Sequence, residues 1–225
     1  MAGLGCAARA ALIGVAILTV PSGLARAATL VLQYQVEHPT YGNIGTYINT
    51  VVRDGDRTEV RTEVHIAVRV LGIRLFHQDA NRTEDWQNGR LVGFKSGTDD
   101  NGKQIDVDGA AQGDGFRINS GVLGVITAPP QVHPSNPWSP QSLETDTMMS
   151  SKTGKVTPVV VTDTGEAMMT FDGQTMRLRQ FFVDSDKHQV VWLDGRGVVV
   201  AFQTEENGAP VNFVLHQGDH PLAAN

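Results

Sequence analysis

Alternation of apolar and polar residues is the feature that most constrains the fold of this chain. In the clearest stretch, one face carries apolar residues and the other mostly charged ones: Val60, Val64, Ile66, Val68 and Val70 against Glu59, Arg61, Glu63, His65 and Arg69. A period of two is typical of strands that bury one face and expose the other. The sequence therefore predicts an all-β, antiparallel protein.

The same pattern, interrupted by turn residues, predicts strands along most of the chain: 30–37, 44–52, 60–70, 73–86, 155–162, 167–171, 175–183, 189–193, 198–204 and 211–216. Turns are predicted at Asp-Gly and Asn-Gly pairs, which tolerate the positive φ of tight hairpins: Asp54-Gly55, Asn88-Gly89, Asn101-Gly102, Asp108-Gly109, Asp114-Gly115, Asp172-Gly173, Asp194-Gly195 and Asn207-Gly208. About a dozen strands exceed what a flat sheet usually holds. We expect one meander curled into a half-barrel, roll or barrel with an apolar concave face.

Residues 128–143 form a proline-rich connection that interrupts the alternation. Proline cannot donate to a β-ladder, so this segment is predicted to link two halves of the sheet. A short helix is predicted over 142–149. Trp138, inside the connection, is interpreted either as a lid over the concave face or as a residue pinned into the core.

The first 27 residues resemble a cleavable secretory signal peptide and are expected to form a helix. Arg9 precedes an apolar run over 10–20, and Ala25-Arg26-Ala27 is a small-x-small cleavage site. The run is shorter than the roughly 20 apolar residues that span a bilayer. We expect cleavage after Ala27, no transmembrane segment thereafter, and a periplasmic or secreted location. The predicted organisation is a β domain over 28–217 and a C-terminal tail over 218–225.

Composition narrows the function classes. The one cysteine, Cys6, lies in the predicted leader, so the exported chain would lack disulfides, thiol catalysis and cysteine-based metal sites. The 18 Lys and Arg of the full chain include Arg9 and Arg26; 16 therefore remain against 24 Asp and Glu, a formal charge of −8. Without a basic run, nucleic-acid binding is not expected.

The sequence contains no G-x-S-x-G, phosphate-binding glycine loop or H-E-x-x-H motif. Because no known motif is present, no catalytic residue, metal site or cofactor is predicted. If Val70 pairs with Ile73, His77 would face the core with Asp79 beside it. Together with Glu84 they would form the acid/base set of a hydrolase-like envelope enzyme, or simply mark the end of the apolar face.

The tryptophans are the other candidates for a site. Glu84 and Trp86 share one strand face before the Asn88-Gly89 turn, and Trp192 stands in a similar position near the end of the chain. Tryptophan beside a turn is interpreted as a core plug or as a wall for an apolar ligand. The candidate ligand-binding residues are thus Trp86, Trp138, Trp192, Glu84 and His77.

Several of these segments also carry a resemblance to a known family. They are Ile44-Gly45-Thr46, the strand over 60–70, the E-x-W-x-x-G-R-L motif at 84–91, Thr98-Asp99-Asp100-Asn101-Gly102 and W-L-D-G-R-G-V-V-V-A-F at 192–202. The chain resembles an uncharacterised family of exported bacterial proteins defined only as a domain of unknown function. The resemblance implies a curled sheet, distantly similar to envelope lipid or lipoprotein carriers, and supplies no catalytic residue.

These observations predict a non-enzymatic exported protein whose curled sheet binds an apolar, lipid-like or amphiphilic ligand, or an envelope partner. Two alternatives remain open at this point. An enzyme would require His77, Asp79 and Glu84 to converge on one cavity. A structural or interaction protein would instead have a filled core.

Overall fold

The computed structural model describes residues 27–171, 174–206 and 208–216. The predicted signal-peptide helix and the tail over 218–225 lie outside these residues, apart from Ala27. The described chain forms sixteen strands, numbered in order: β1 Ala28–His38, β2 Gly42–Asp54, β3 Arg57–Val70, β4 Ile73–Gln87, β5 Arg90–Asp100, β6 Lys103–Gln112, β7 Gly115–Ser120, β8 Gly124–Ala128, β9 His133–Pro134, β10 Thr147–Met149, β11 Val156–Pro158, β12 Val160–Phe171, β13 Gln174–Asp184, β14 Gln189–Leu193, β15 Val199–Glu206 and β16 Ala209–Leu215.

Thirteen strands form one antiparallel sheet in the order β12-β13-β14-β15-β16-β1-β2-β3-β4-β5-β6-β7-β8. Two meanders, β1–β8 and β12–β16, are joined because the first strand pairs with the last, with Tyr34 opposite Leu215. The sheet does not close, since β8 and β12 remain at its two edges. The all-β, curled architecture expected from the alternation is confirmed.

The proline-rich connection and the residues after it contribute β9, β10 and β11, which form a separate three-stranded sheet. The helix predicted over 142–149 is wrong. One 3-10 turn, Pro140–Leu143, is followed after three residues by β10. Met148 and Met149 pair with β9 on one side and β11 on the other, and Met149 is fully buried. Pairing on both sides outweighs the weak local preference of this segment for helix.

The interior contains two apolar clusters on the inner face of the sheet. In the first, Tyr34 and Tyr47 meet Phe202 and Phe213, and the two phenylalanine rings stack with centroids 4.3 Å apart. The Tyr34 hydroxyl donates to the carbonyl of Val199 at 2.9 Å. The second cluster consists of these residues: Val51, Val60, Trp86, Leu91, Phe94, Val107, Phe116, Ile118, Ala128, Val132, Trp138 and Met149. The first cluster borders the cavity described below.

Asp108-Gly109, for which the sequence predicts a turn, lies inside β6. A Cβ at Gly109 would lie 2.4 Å from Cε1 of the fully buried Phe116 ring. The absence of a side chain at this position therefore makes room for the aromatic ring on the neighbouring strand.

We expect Gly109→Ala to lower the free energy of unfolding by about 1–3 kcal/mol, as overpacking of a filled core does. Urea denaturation followed by tryptophan fluorescence measures this change. Gly97→Ala is the matched control, because Gly97 lies on the adjacent strand and its Cβ would meet only Asp106 Oδ1, at 3.4 Å. Equal stability of the two variants would contradict the prediction.

Candidate ligand-binding cavity

A cavity of about 1130 Å³ lies between the inner face of the large sheet and the small sheet. Binding pockets for small molecules commonly measure about 300–1000 Å³, so this volume suits a sizeable ligand. Its apolar wall comes from β2, β3, β4, β15 and β16, chiefly from Ile44, Val64, Ile66, Phe76, Phe202 and Phe213. The interior is therefore not filled, unlike the core expected of a purely structural protein.

Six charged residues of the lining, called the cavity rim here, are paired one to one. Lys152 Nζ lies 2.6 Å from Asp100 Oδ2. Lys155 pairs with Asp186, and Lys187 pairs with Glu206. All six residues line the cavity. The pairs formed by Lys155 and by Lys187 are exposed and each worth little to stability, whereas the pair formed by Lys152 is partly buried.

Arg82, unlike the lysines of the cavity rim, has no carboxylate partner in the part of the chain that the structure describes. It lies on the inner face of β4 and is only 8% exposed. Its Nε has no hydrogen-bond partner among the described residues, none of which places a carboxylate oxygen within 4.0 Å of its guanidinium. The guanidinium interacts with the Tyr47 hydroxyl and, at longer range, with the Glu84 carboxyl group. A buried guanidinium without a carboxylate in direct contact is still costly to the fold. This cost makes Arg82 a natural contact for an anionic ligand.

Unpartnered hydroxyl groups lie next to Arg82 in the ladder. Ser96 on β5 is directly opposite Arg82. Thr98 on the same strand is opposite Ala80, which faces inward two positions before Arg82. Ser96 Oγ and Thr98 Oγ1 are both buried and have no hydrogen-bond partner among the described residues. Buried polar groups are normally satisfied, so this cluster indicates hydrogen-bonding capacity that the protein itself does not use.

Glu84, two positions after Arg82 on the same face, is fully buried and held by three donors. Trp86 Nε1 and Trp138 Nε1 donate to its Oε2 at 3.0 and 3.1 Å. Asn136 Nδ2 donates to Oε1 at 2.8 Å. Asn136 and Trp138 belong to the proline-rich connection, so the carboxyl group of β4 fixes that connection to the inside of the sheet.

Asn136 extends this network to β2 and β3. Its Oδ1 accepts hydrogen bonds from the Tyr47 hydroxyl at 2.9 Å and from Asn49 Nδ2 at 3.0 Å. Thr62 Oγ1 in turn donates to Asn49 Oδ1 at 2.7 Å. Because Tyr47 also lines the cavity, the network connects the wall of the cavity to the buried carboxyl group.

Burial shifts the acidities of this network. Loss of solvation raises the pKa of Glu84 to about 7, although the donors Asn136, Trp86 and Trp138 and the positive charge of Arg82 oppose the shift. Burial also raises the pKa of Tyr47 to about 12. Glu84 therefore changes charge near neutral pH, whereas Tyr47 remains a neutral hydrogen-bond donor there.

The structure brings together three of the five candidate residues, Glu84, Trp86 and Trp138, but none of the five is among the described residues that line the cavity. Trp86 and Trp138 pack edge to face in the second apolar cluster, so Trp138 is pinned into the core. Trp192 lies apart in the first cluster, where its Nε1 donates to Gln180. The cavity contacts expected from these side chains come instead from Tyr47 and Arg82.

His77 and Asp79 do not face the core as predicted. Val70 does pair with Ile73, but a bulge between Val68 and Arg69 shifts the register by one residue. As a result Asp79 lies opposite His65, 2.9 Å from its Nδ1, on the outer face. Glu84 lies on the inner face, so the three residues of the proposed hydrolase set do not converge on one cavity.

Sequence reasoning missed Arg82, Asn49, Thr62 and Asn136. The first three interrupt the apolar face of a strand at inward positions, and Arg82 shares its face with Ala80, Glu84 and Trp86. Following the alternation backwards from Glu84 would have identified it. Asn136 gives no such signal, because the connection has no period to break.

The described residues contain no cluster of three His, Cys, Asp or Glu side chains that could hold a metal ion. Within the same residues there is also no helix long and apolar enough to cross a membrane.

The open, strongly curled sheet defines a β-barrel-like protein. A crystal structure of a "beta-barrel-like protein of domain of unknown function DUF1849" from Brucella abortus is similar in fold, with a TM-score of 0.60. The similarity covers 83% of this chain and 94% of that chain at 7% sequence identity, which shows the fold alone.

The family of this chain is identified by its sequence. Residues 35–216 match the family described as "Domain of unknown function (DUF6134)", and the chain belongs to that family. No curated protein matches this chain in sequence. The resemblance to an uncharacterised all-β family is thus confirmed.

Proposed function

We propose that the protein is a non-enzymatic, exported binding protein that holds an amphiphile with an acidic headgroup in its cavity. The observation that carries this proposal is a buried arginine in the wall of a large, mostly apolar cavity, with no carboxylate oxygen within 4.0 Å of its guanidinium among the described residues. Apolar walls with a few placed polar groups are typical of sites for small molecules. The predicted signal peptide supports a periplasmic or secreted location.

The two parts of the lining suit the two parts of such a ligand. The side chains of Ile66, Val68 and Phe76 offer apolar surface along β3 and β4. Arg82, further along β4, offers a planar guanidinium that suits a carboxylate or phosphate. The rim lysines already have carboxylate partners. Arg82 is therefore the better contact for the headgroup.

Native mass spectrometry of protein purified from the cell that makes it tests the proposal most directly. A bound species released on denaturation, with an acidic group and a long apolar chain, is the expected result. A protein that is recovered empty and then takes up no lipid or fatty-acid probe would overturn the carrier function.

Selectivity for the headgroup is a second prediction. We expect a long-chain fatty acid to bind at least tenfold more tightly than the alcohol of the same chain length, because hydrogen bonds to charged groups contribute about 1.5–3 kcal/mol. Arg82→Gln should remove this difference while leaving the binding of the alcohol unchanged. Displacement of a fluorescent fatty-acid probe measures both affinities.

Lys155→Gln is the matched control, since it removes a rim cation that already has a carboxylate partner. We expect it to change the affinity for the fatty acid less than threefold, or about 0.6 kcal/mol, as is usual for an exposed ion pair. If Arg82→Gln and Lys155→Gln reduce binding equally, the acid is held by general attraction at the rim and the assignment of Arg82 is wrong.

A further inference from the structure

The hairpin formed by the end of β3 and the start of β4 protrudes from the sheet. The pairing of β2 with β3 ends at Gly45 and Ile66, and the pairing of β5 with β4 ends at Asp100 and Gln78. Over 67–76, the protruding hairpin, the two strands pair only with each other among the described residues. At the base of this hairpin Val68 and Phe76 still pack in the first apolar cluster, so its exposed part is 69–75.

The tip of this protruding hairpin is apolar and exposed. Leu71 is 97% exposed, Ile73 is 66% exposed and Leu75 is 56% exposed, and Val70 is exposed as well. A single exposed apolar residue is ordinary, but contiguous ones at a projecting tip are typical of a binding surface.

Leu71 is also unfavourable for the turn itself. Positive φ is found at three non-glycine residues among those described: Leu71 at 51°, Asn88 at 51° and Asn101 at 54°. Each is followed by glycine in a tight hairpin, where asparagine is the favoured residue. Leucine at this position therefore adds backbone strain to an exposed apolar side chain. The fold gains nothing from it, which points to a role outside the fold.

Two arginines stand directly behind the tip. Arg69 and Arg74 lie opposite each other in the ladder, and both are exposed. Neither has a carboxylate oxygen within 4.0 Å among the described residues. Like charges placed directly opposite on a sheet are destabilising. A negatively charged surface in contact with the tip would relieve this repulsion.

We propose that the protruding hairpin docks on an anionic lipid bilayer, with Leu71 and Ile73 among the acyl chains and Arg69 and Arg74 at the phosphate groups. A protein surface could also cover apolar residues. Two arginines behind an apolar tip, neither with a carboxylate partner among the described residues, match a bilayer instead, in which charged phosphate groups lie above acyl chains. The formal net charge of the full chain is −6, so general attraction to anionic lipid does not explain such binding.

The docking site adjoins the cavity. Leu75, the bulge residue of β4, belongs both to the protruding hairpin and to the cavity lining. Tyr41, in the turn between β1 and β2, is exposed and also lines the cavity. A protein docked through this hairpin would hold one end of its cavity close to the membrane. Docking itself requires no ligand in the cavity, so it can be tested separately from the proposed carrier function.

Vesicle flotation tests this proposal with protein as recovered from the cell, its N-terminus defined by intact mass. Vesicles of phosphatidylcholine alone are compared with vesicles that also contain phosphatidylglycerol. We expect binding to the second kind only. Arg69→Gln with Arg74→Gln should weaken it about 30-fold, since each basic residue near an anionic surface contributes about fivefold. Leu71→Asn should weaken it at least tenfold.

Leu71→Asn also separates docking from folding. Asparagine suits the positive φ at this position, so we expect the variant to unfold at the same or higher urea concentration while its binding to vesicles falls. Met168→Gln is the matched control, because Met168 is an exposed apolar residue on the edge strand β12, away from the hairpin. Its vesicle binding should equal that of the unmodified protein.

Three results would overturn the docking proposal: no binding to either kind of vesicle, equal binding to both kinds, or equal binding by Leu71→Asn and the unmodified protein. The first is also the result expected if a protein partner covers the tip. None of these results bears on whether the cavity holds an amphiphile.

Discussion

Replacing Glu84 by alanine is expected to lower the free energy of unfolding by about 3–5 kcal/mol, because buried donors lose their acceptor and a cavity opens. The substitution leaves the N–H groups of Trp86, Trp138 and Asn136 without their acceptor. It also creates a void where the side chain was fully buried. Both effects release the proline-rich connection from β4.

Urea denaturation followed by tryptophan fluorescence measures this loss, and the probe is local because two tryptophans contact the carboxyl group. Glu63→Ala is the matched control: Glu63 lies on the neighbouring strand β3 but is exposed, so its removal is expected to cost less than about 0.5 kcal/mol. If Glu84→Ala were as stable as Glu63→Ala, the network around Asn136 would not hold the connection in place.

The strands were predictable from sequence because their cause is local. Alternation over 60–70 fixes which side chains of β3 face inward, and the same rule correctly places Glu84 and Trp86 on one face of β4. Trp138 was predictable only as a pair of alternatives. Trp138 lies in the core because its indole N–H donates a hydrogen bond to Glu84, a residue 54 positions away in the sequence.

Long-range pairing and bulges were not predictable in the same way. A register counted from the turn at Leu71-Gly72 is correct for Val70 and Ile73 but wrong beyond the bulge, and this error moved His77 and Asp79 to the wrong face. One inserted residue reverses every later assignment on a strand. The pairing of β1 with β16 joins the first and last of the described strands, and no local pattern encodes it.

The candidate site, too, has one part that the local pattern predicts and another that depends on contacts between distant residues. The alternation predicts an apolar concave face, and most of the cavity wall is apolar. Arg82 departs from that rule at an inward position, and such departures are expected where function requires them. The cost of placing a guanidinium there becomes visible only when the structure shows that it lacks a close carboxylate.

The pH dependence of stability is the second large effect that we expect from Glu84. Its pKa is raised in the folded protein from 4.5 to about 7. Between these values the folded state binds more protons than the unfolded state, so stability falls as the pH rises. The contribution is fully present below pH 4.5 and is lost as the pH passes about 7. A shift of this size corresponds to about 3 kcal/mol.

Comparison with Glu84→Gln isolates this contribution, because glutamine has similar volume but does not titrate. The difference in free energy of unfolding between the unmodified protein and Glu84→Gln should decrease by about 3 kcal/mol from pH 4.5 to above 7, while contributions from the other titrating groups cancel. A difference that stays constant with pH would show that the pKa of Glu84 is not raised. A difference that increases with pH would mean that the three N–H donors outweigh burial and keep Glu84 ionised throughout.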